Sequence, residues 1–419
     1  MNHRATGEAA PPLPPDERAR GRRLAFTSHP LGMTFSMVFS QHLPTLALVS
    51  LGASETVVGL QNAFGSVFQP LQLPTLRAVG RVAKRRILML GQAFAVLGAL
   101  PLVAFASLEQ AGDAAVPLAM ASFAAVTAGL TISNTVWFPL LRAYVEPNAI
   151  GRFFGLLRSG WHLALIVYYV AAQRWLAANP GAFGELFLAG WVCGLLRIAL
   201  ISRLPERSER TGERIRVGEA LALVRENRDF RRYLEGVTAS AAVRLCVVPF
   251  AIVMLRREIG LTDGQILLTT IASFAGGLAS LYLWGTVVDR IGPAPVFRWT
   301  SIGMALLYLL LLDMSEPTPT TVFTAVVFFF GFSVLASGFG VADTHVLFGM
   351  TPPEAPARVL VVASVVVHLA AGIAPVSAGF ALERWLAAAD DPLSVYRTFF
   401  AALAVLQAVS FLPLRRFGR

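Results

Sequence analysis

Gly285-Thr286-Val287-Val288-Asp289-Arg290-Ile291-Gly292 closes one apolar window of the chain, and Gly80-Arg81-Val82-Ala83-Lys84-Arg85-Arg86 closes another. Both are short, open with glycine and carry arginine; the Gly80 stretch is strongly basic, and the Gly285 stretch ends on a further glycine. Their surroundings also repeat. Glu146-Pro147 precedes Arg152, and Pro352-Pro353-Glu354 precedes Arg358. Arg152 is followed by His162-Leu163-Ala164, and Arg358 by His368-Leu369-Ala370. The spacing from Arg152 to Arg358 equals that from His162 to His368. Three landmarks in the same order mark an internal duplication, which defines the architecture of a chain before its individual elements do.

The composition says what solvent the duplicated unit lives in. Of 419 residues, 55% are apolar and 14% charged, and the mean hydropathy is +0.63. A soluble domain usually has about 25% charged residues. So few charges cannot cover so much apolar surface in water, which excludes a cytosolic enzyme, a disordered chain and a disulfide scaffold. Cys193 and Cys246, the two cysteines, lie in apolar stretches and offer neither a disulfide framework nor metal-ligand spacing. A spanning helix needs about 20 apolar residues. Windows of this kind occur at 31–51, 57–76, 87–106, 117–141, 154–172, 186–201, 237–255, 266–284, 299–312, 322–348, 359–382 and 399–414. The second is interrupted by Gln61, Asn62, Gln69 and Gln72, and its partner in the other half supports it. The pattern predicts an all-α integral membrane protein of twelve transmembrane helices.

Charge gives the orientation. The net charge is +10, with 35 basic residues. Most of them fall at one end: the N-terminal segment, residues 77–86, Arg142, Arg152, the central segment, Arg290, Arg298, Arg358 and the C-terminal segment. Only Arg174, Arg256, Arg257, Arg384 and Arg397 fall at the other. Because cytoplasmic loops collect Lys and Arg, both termini are expected in the cytoplasm. The basic balance is thus a topology signal, and no nucleic-acid motif accompanies it. The expected organisation is a basic tail (1–30), a first six-helix bundle (31–201), a charged linker with an amphipathic surface helix at 217–233 (202–235), and a second six-helix bundle with a short basic tail (236–419).

With these features the chain resembles the major facilitator superfamily over its whole length beyond the tail. The second-half stretch matches that family's Gly-x-x-x-Asp-Arg-x-Gly loop through Gly285, Asp289, Arg290 and Gly292. The resemblance implies two pseudo-symmetric six-helix bundles, each a 3+3 inverted repeat, around a midplane substrate site. It also implies gating roles for Gly285, Asp289, Arg290 and Gly292, and for Gly80 and Arg85 in the first-half copy. That copy departs from the family at Lys84, where the family has Asp. A cation cannot stabilise a helix N-terminus as a carboxylate does.

Polar side chains at mid-membrane depth are functional candidates by default. His162 lies ten residues beyond Arg152, about 15 Å into the bilayer at helical rise. His368 has the same depth, and His42 with Gln41 lies near the middle of the first span. Arg244 is inside the seventh span, and Arg158 is one turn from His162. Asn134 and Asp343 lie toward the cytoplasmic ends of the fourth and tenth spans. Arg244 and Arg158 would attract an anionic group, since guanidinium grips carboxylate or phosphate with two bonds. Histidine carries a proton near neutral pH, and Asp343 is the most central carboxylate. The competing reading has these arginines paired structurally and the histidines donating to backbone carbonyls. Arg197, near the end of the sixth span, is expected to snorkel. Met33 and Met37 with Cys246 admit a soft-metal reading, but methionine mostly fills packing gaps.

The expected function is secondary active transport of a small organic solute, with a weak preference for anions, across a bacterial inner or plasma membrane, with protons coupled through Asp343. The chain is expected to be a monomer in the lipid bilayer with no cofactor and no bound metal. Alternatives are a drug or metabolite exporter of the same fold and a transport-inactive assembly protein. The fifth span holds Gly155 and Gly160 but no proline, so the family exporters' Gly- and Pro-rich signature is absent. No nucleophile, zinc or P-loop motif suggests an enzyme.

Overall fold

A computed structural model describes residues 13–79, 81–146, 150–206, 226–350 and 356–417. Among the described residues the chain is helical throughout, with no strand, and it makes twelve passes. The fourth to eighth passes are Ala115–Leu141, Ile150–Ala178, Phe183–Ile201, Arg228–Arg257 and Asp263–Ile291. The ninth is Pro293–Tyr308 extended by Leu309–Asp313, and Pro319–Met350, Pro356–Ala388 and Pro392–Val409 complete the set.

The first three passes are segmented, and proline explains each break. A proline in a helix lacks an N–H and crowds the carbonyl four residues back. The first pass runs Pro15–Val38 and resumes at His42–Ser50, and Pro44 forbids a helical bond to residue 40. The second is Glu55–Val67, Gln69–Leu71 and Gln72–Val79, interrupted at Pro70, with Pro74 taken into the first turn of the last segment. The third, Lys84–Gly98, is followed by short pieces at Leu100–Val103 and Phe105–Glu109 around Pro101.

Two expected boundaries are corrected. Residues 15–30 are not a tail but the start of the first helix, which opens with Pro15 at its first position and Asp16 and Glu17 in its first turn. Proline's fixed φ and acidic residues near the N-terminal dipole both favour such a start. Gly21 is buried there because a Cβ would strike the Tyr144 ring. The expected surface helix at 217–233 lies outside the described residues up to 225. Beyond that, the seventh helix starts at Arg228, capped by the Asn227 side chain, which accepts from the N–H groups of Asp229 and Phe230 at 3.0 Å each. Phe230 and Tyr233 are core residues of that helix.

The halves meet along two seams, the second pass on the eleventh and the fifth on the eighth. Inside the first half, Gly91 and Gly129 bring the third and fourth passes together. A Cβ on Gly91 would stand 2.8 Å from the Gly129 oxygen. Leu97, Phe323 and Val405 are left exposed on the outside, where bilayer hydrocarbon replaces a protein core.

A polar cavity between the two halves

Between the halves lies a cavity of about 590 Å³. The proline break in the first pass aims Gln41 and His42 into it, and the seventh pass contributes Arg244. His162 and His368 line it from the fifth and eleventh passes. Depth along the sequence therefore brought five candidates to one place.

Arg244 is held on two sides. Its Nε donates to the Ser240 carbonyl at 3.3 Å, and its guanidinium carbon sits 4.5 Å from the centre of the Phe339 ring. Among the described residues nothing hydrogen-bonds its terminal nitrogens, and no carboxylate pairs with it. His162 and His368 repeat one geometry: Nδ1 meets the carbonyl four residues back, Arg158 at 2.9 Å and Ser364 at 2.7 Å. Since a carbonyl only accepts, Nδ1 carries the proton in that arrangement and Nε2 is left as an acceptor. The His162 ring stacks on Trp161 at 3.6 Å, and Gly277 of the eighth pass leaves room beside its Nε2. His42 Nδ1 lies 2.7 Å from Thr270 Oγ1 in the other half, and its ring meets Phe329 edge-on at 5.5 Å.

Three candidates do not reach the cavity. Arg158 is exposed and touches His162 only through its backbone. Asn134 is exposed on the fourth pass. Asp343 is tied to the seventh pass, its Oδ1 accepting from the Tyr233 hydroxyl at 2.5 Å. The expected snorkelling of Arg197 is also overturned. Arg197 is 2% exposed, packed on Gly32 and lying 5.2 Å from the Trp137 ring. The sixth helix continues to Ile201, so the guanidinium is enclosed by the first and fourth passes before it can reach an interface.

The sequence reading missed much of the lining. Gln61, Asn62 and Gln69 of the second pass, Trp161 and Phe274, and the serines 273, 333 and 337 all border the cavity. The signal was present: three of the four amides that spoiled the hydropathy of the second window, Gln61, Asn62 and Gln69, border the cavity. Among the described residues no carboxylate lines it, and no three His, Cys, Asp or Glu side chains group to hold a metal.

The polar links described between the halves cluster at the arginine-poor end. Arg257 Nη1 meets Glu55 Oε1 at 2.7 Å, the Tyr396 hydroxyl donates to the same oxygen at 3.2 Å, and the Thr56 N–H donates to Glu383 at 3.2 Å. At the arginine-rich end Arg158, Asp289 and Arg290 are exposed, and Tyr282 is 84% exposed. Gly285 has open space beside it, and Gly292 ends the eighth helix at φ 78°. Gly80 lies outside the described residues. In the first half, the Lys84 and Arg85 N–H groups donate to the two oxygens of Glu206 at 2.6 and 2.8 Å, and Arg85 Nη1 donates to the Leu204 carbonyl at 2.9 Å. The carboxylate missing at position 84 is thus supplied by the segment that follows the sixth pass.

Residues 234–418 match the profile of the Major Facilitator Superfamily. Among solved structures, the nucleoside transporter NupG superposes with a TM-score of 0.71 at 12% identity, covering 96% of this chain and 100% of that one. A D-xylose–proton symporter gives 0.68 at 14% identity over 96% and 98% of the two chains. A bacterial homolog of the human lysosomal transporter Spinster, inward-facing and occupied, gives 0.68 at 14% over 96% and 97%. At such identities the likeness is one of fold. No curated protein matches the sequence.

Proposed function

We propose, from the premise that this chain is a major facilitator superfamily protein with the fold of a secondary transporter, that it carries a small polar organic solute bearing an anionic group by alternating access. One observation carries the reading: among the described residues, Arg244 lines the cavity with no hydrogen bond to its terminal nitrogens, and no carboxylate lines that cavity. A cationic solute would find no counter-charge there, whereas a carboxylate would form two charge-assisted bonds. The amides of Gln41, Gln61, Asn62 and Gln69 favour hydroxyls or amides on the rest of the solute, and Trp161 and Phe274 favour a flat or apolar edge.

Proton coupling is assigned to Asp343. Its bond to Tyr233 links the tenth and seventh passes. A change in its protonation would alter the hold between the helix bearing Arg244 and its neighbour. Since cytoplasmic loops collect arginine, the arginine-rich end faces the cytoplasm. The described polar links between the halves then lie at the outer end, which supports reading this state as open inward.

The test is a thermal-shift screen of the purified protein against monocarboxylates, neutral polyols and lipophilic cations, repeated on Arg244→Gln and Asp343→Asn. Bound ligand stabilises by mass action, about 2.7 kcal/mol at a hundredfold excess over Kd. Monocarboxylates should raise the midpoint of the native chain and lose that effect in Arg244→Gln. A response confined to lipophilic cations overturns the assignment.

A further inference from the structure

We propose that the first half binds a small monovalent anion of the chloride class inside its own helix bundle, held by Arg197, Trp137 and His29 and separate from the central cavity. The inference does not depend on what that cavity carries.

The site is a layer of polar side chains toward the arginine-rich end. Ser28 and His29 come from the first pass, Gln92 from the third, Trp137 from the fourth and Arg197 from the sixth. All of them are at least nine-tenths buried. The His29 ring stacks on Trp137 with ring centres 5.6 Å apart, and the Arg197 guanidinium carbon lies 5.2 Å from the centre of the same indole. Gly32 admits the guanidinium, because a Cβ there would fall on it, and Ser28 stands one turn before Gly32 on the same helix face. Gln92 shares the level. A Cβ on Gly194 would meet the Val96 side chain at 2.9 Å, and one turn from that contact toward the arginine-rich end stand Arg197 on one helix and Gln92 on the other.

These side chains do not satisfy one another. Among the described residues, Arg197 Nε, Trp137 Nε1, His29 Nδ1, Ser28 Oγ and both amide atoms of Gln92 have no hydrogen-bond partner. Buried polar groups are nearly always paired, so orphans gathered in one layer point to a ligand. The chemistry of the set is one-sided. Guanidinium and indole N–H groups only donate, and hydroxyl, amide and imidazole can donate as well. Arg197 also brings a full positive charge, and among the described residues no carboxylate pairs with it. A buried charge without a counter-charge is strongly disfavoured. One bound anion supplies both the acceptor and the counter-charge, whereas a water molecule supplies only the acceptor. Enclosure by four helices favours a halide over a lipid phosphate or an organic acid. The internal duplication offers a comparison. The spacing that relates His162 to His368 also relates Trp137 to Asp343. The second half thus carries an anion in its own chain at the position where the first half has an indole donor.

The experiment is a chloride titration of the purified protein at constant ionic strength, with sodium gluconate, too large for the site, making up the balance. The thermal midpoint of the native chain should rise with chloride as a bound ligand requires. Arg197→Gln should abolish the rise. Trp137→Phe, which keeps the ring and removes the N–H, should raise the half-saturating chloride concentration about tenfold and guards against misfolding of the arginine variant. Arg244→Gln should leave the response intact. Anomalous diffraction from crystals grown in bromide should place the ion within hydrogen-bond reach of Arg197 and Trp137. A native midpoint no higher in chloride than in gluconate means that water serves these donors and overturns the proposal. So does a response that survives Arg197→Gln and Trp137→Phe but is lost in Arg244→Gln, which would put the halide in the central cavity.

Discussion

Removing Glu206 should destabilise the first half by a readable amount. The helix Lys84–Gly98 has Ala83 at its N-cap position and no side-chain cap of its own. The first N–H groups of a helix have no partner within it, and its N-terminus carries about half a positive charge. Glu206 satisfies the N–H groups of Lys84 and Arg85 at 2.6 and 2.8 Å, while the neighbouring Pro205 carbonyl holds the Tyr144 hydroxyl at 2.7 Å. Bonds to a charged group contribute about 1.5–3 kcal/mol each. Glu206 is only partly buried, so both together are expected near 2–3 kcal/mol on that scale. In a unit of this size each kcal/mol moves the midpoint about 2–4 °C, so Glu206→Ala should lower it by roughly 5–10 °C. Apparent midpoints should be compared in one detergent at one heating rate, because unfolding of such chains is commonly irreversible. Glu206→Gln should fall between, retaining one acceptor. Lys84→Asp placed on Glu206→Ala should recover part of the loss by returning an anion to the same helix end. A midpoint unmoved by Glu206→Ala, or a Lys84→Asp change that deepens the loss, would refute the reasoning.

Other outcomes are equally concrete. Arg244→Gln should weaken binding of an anionic solute roughly 10- to 100-fold, the equivalent of one charge-assisted bond, with neutral analogues little affected in the same calorimetric titration. Gly32→Ala should cost about 1–3 kcal/mol, since the added methyl would collide with the Arg197 guanidinium. Pairing it with Arg197→Ala should return most of that loss, as read from thermal midpoints. Glu258, in the loop after the seventh pass, has its carboxyl pushed up by burial and then by Glu55, with Asp391 adding to it and Arg257 opposing. A raised carboxyl stabilises the fold below its unfolded value near 4.5, and that contribution is lost as pH rises through the folded value. Glu258→Gln should therefore be more stable than the native chain at pH 7, with the difference shrinking as pH falls toward 4.5. An equal difference at every pH would disprove the coupling.

Depth was legible in the sequence and facing was not. Ten residues from Arg152 to His162 fixed the level of the histidine, and its repeat partner His368 followed. Arg158 shares that helix yet stays outside the cavity, because one turn moves a side chain along the axis as well as around it. Asp343 was located by level too, but only Tyr233, more than a hundred residues away in sequence, determines what it touches. The breaks in the first three passes were written in Pro44, Pro70, Pro74 and Pro101. A window of mean hydropathy averages over a proline and gives it no geometric weight. Glu206 was hidden for another reason: the departure at Lys84 was visible, but its compensation comes from the segment after a distant helix.

The seam between the second and eleventh passes is nearly bare. A methyl group on Gly59 would strike the Pro375 carbonyl, one on Gly379 the Glu55 carbonyl, and one on Gly372 the Ser66 side chain. Surfaces that meet without interlocking teeth can roll over one another, as in a joint. Knobs seated in holes would have to be lifted out, one after another, on every cycle. On the proposed alternating-access reading, such smoothness would serve as the pivot and leave the holding to a few detachable polar clasps at the rim, so the resting posture could be retuned one side chain at a time while the seam itself tolerates scarcely a single added carbon.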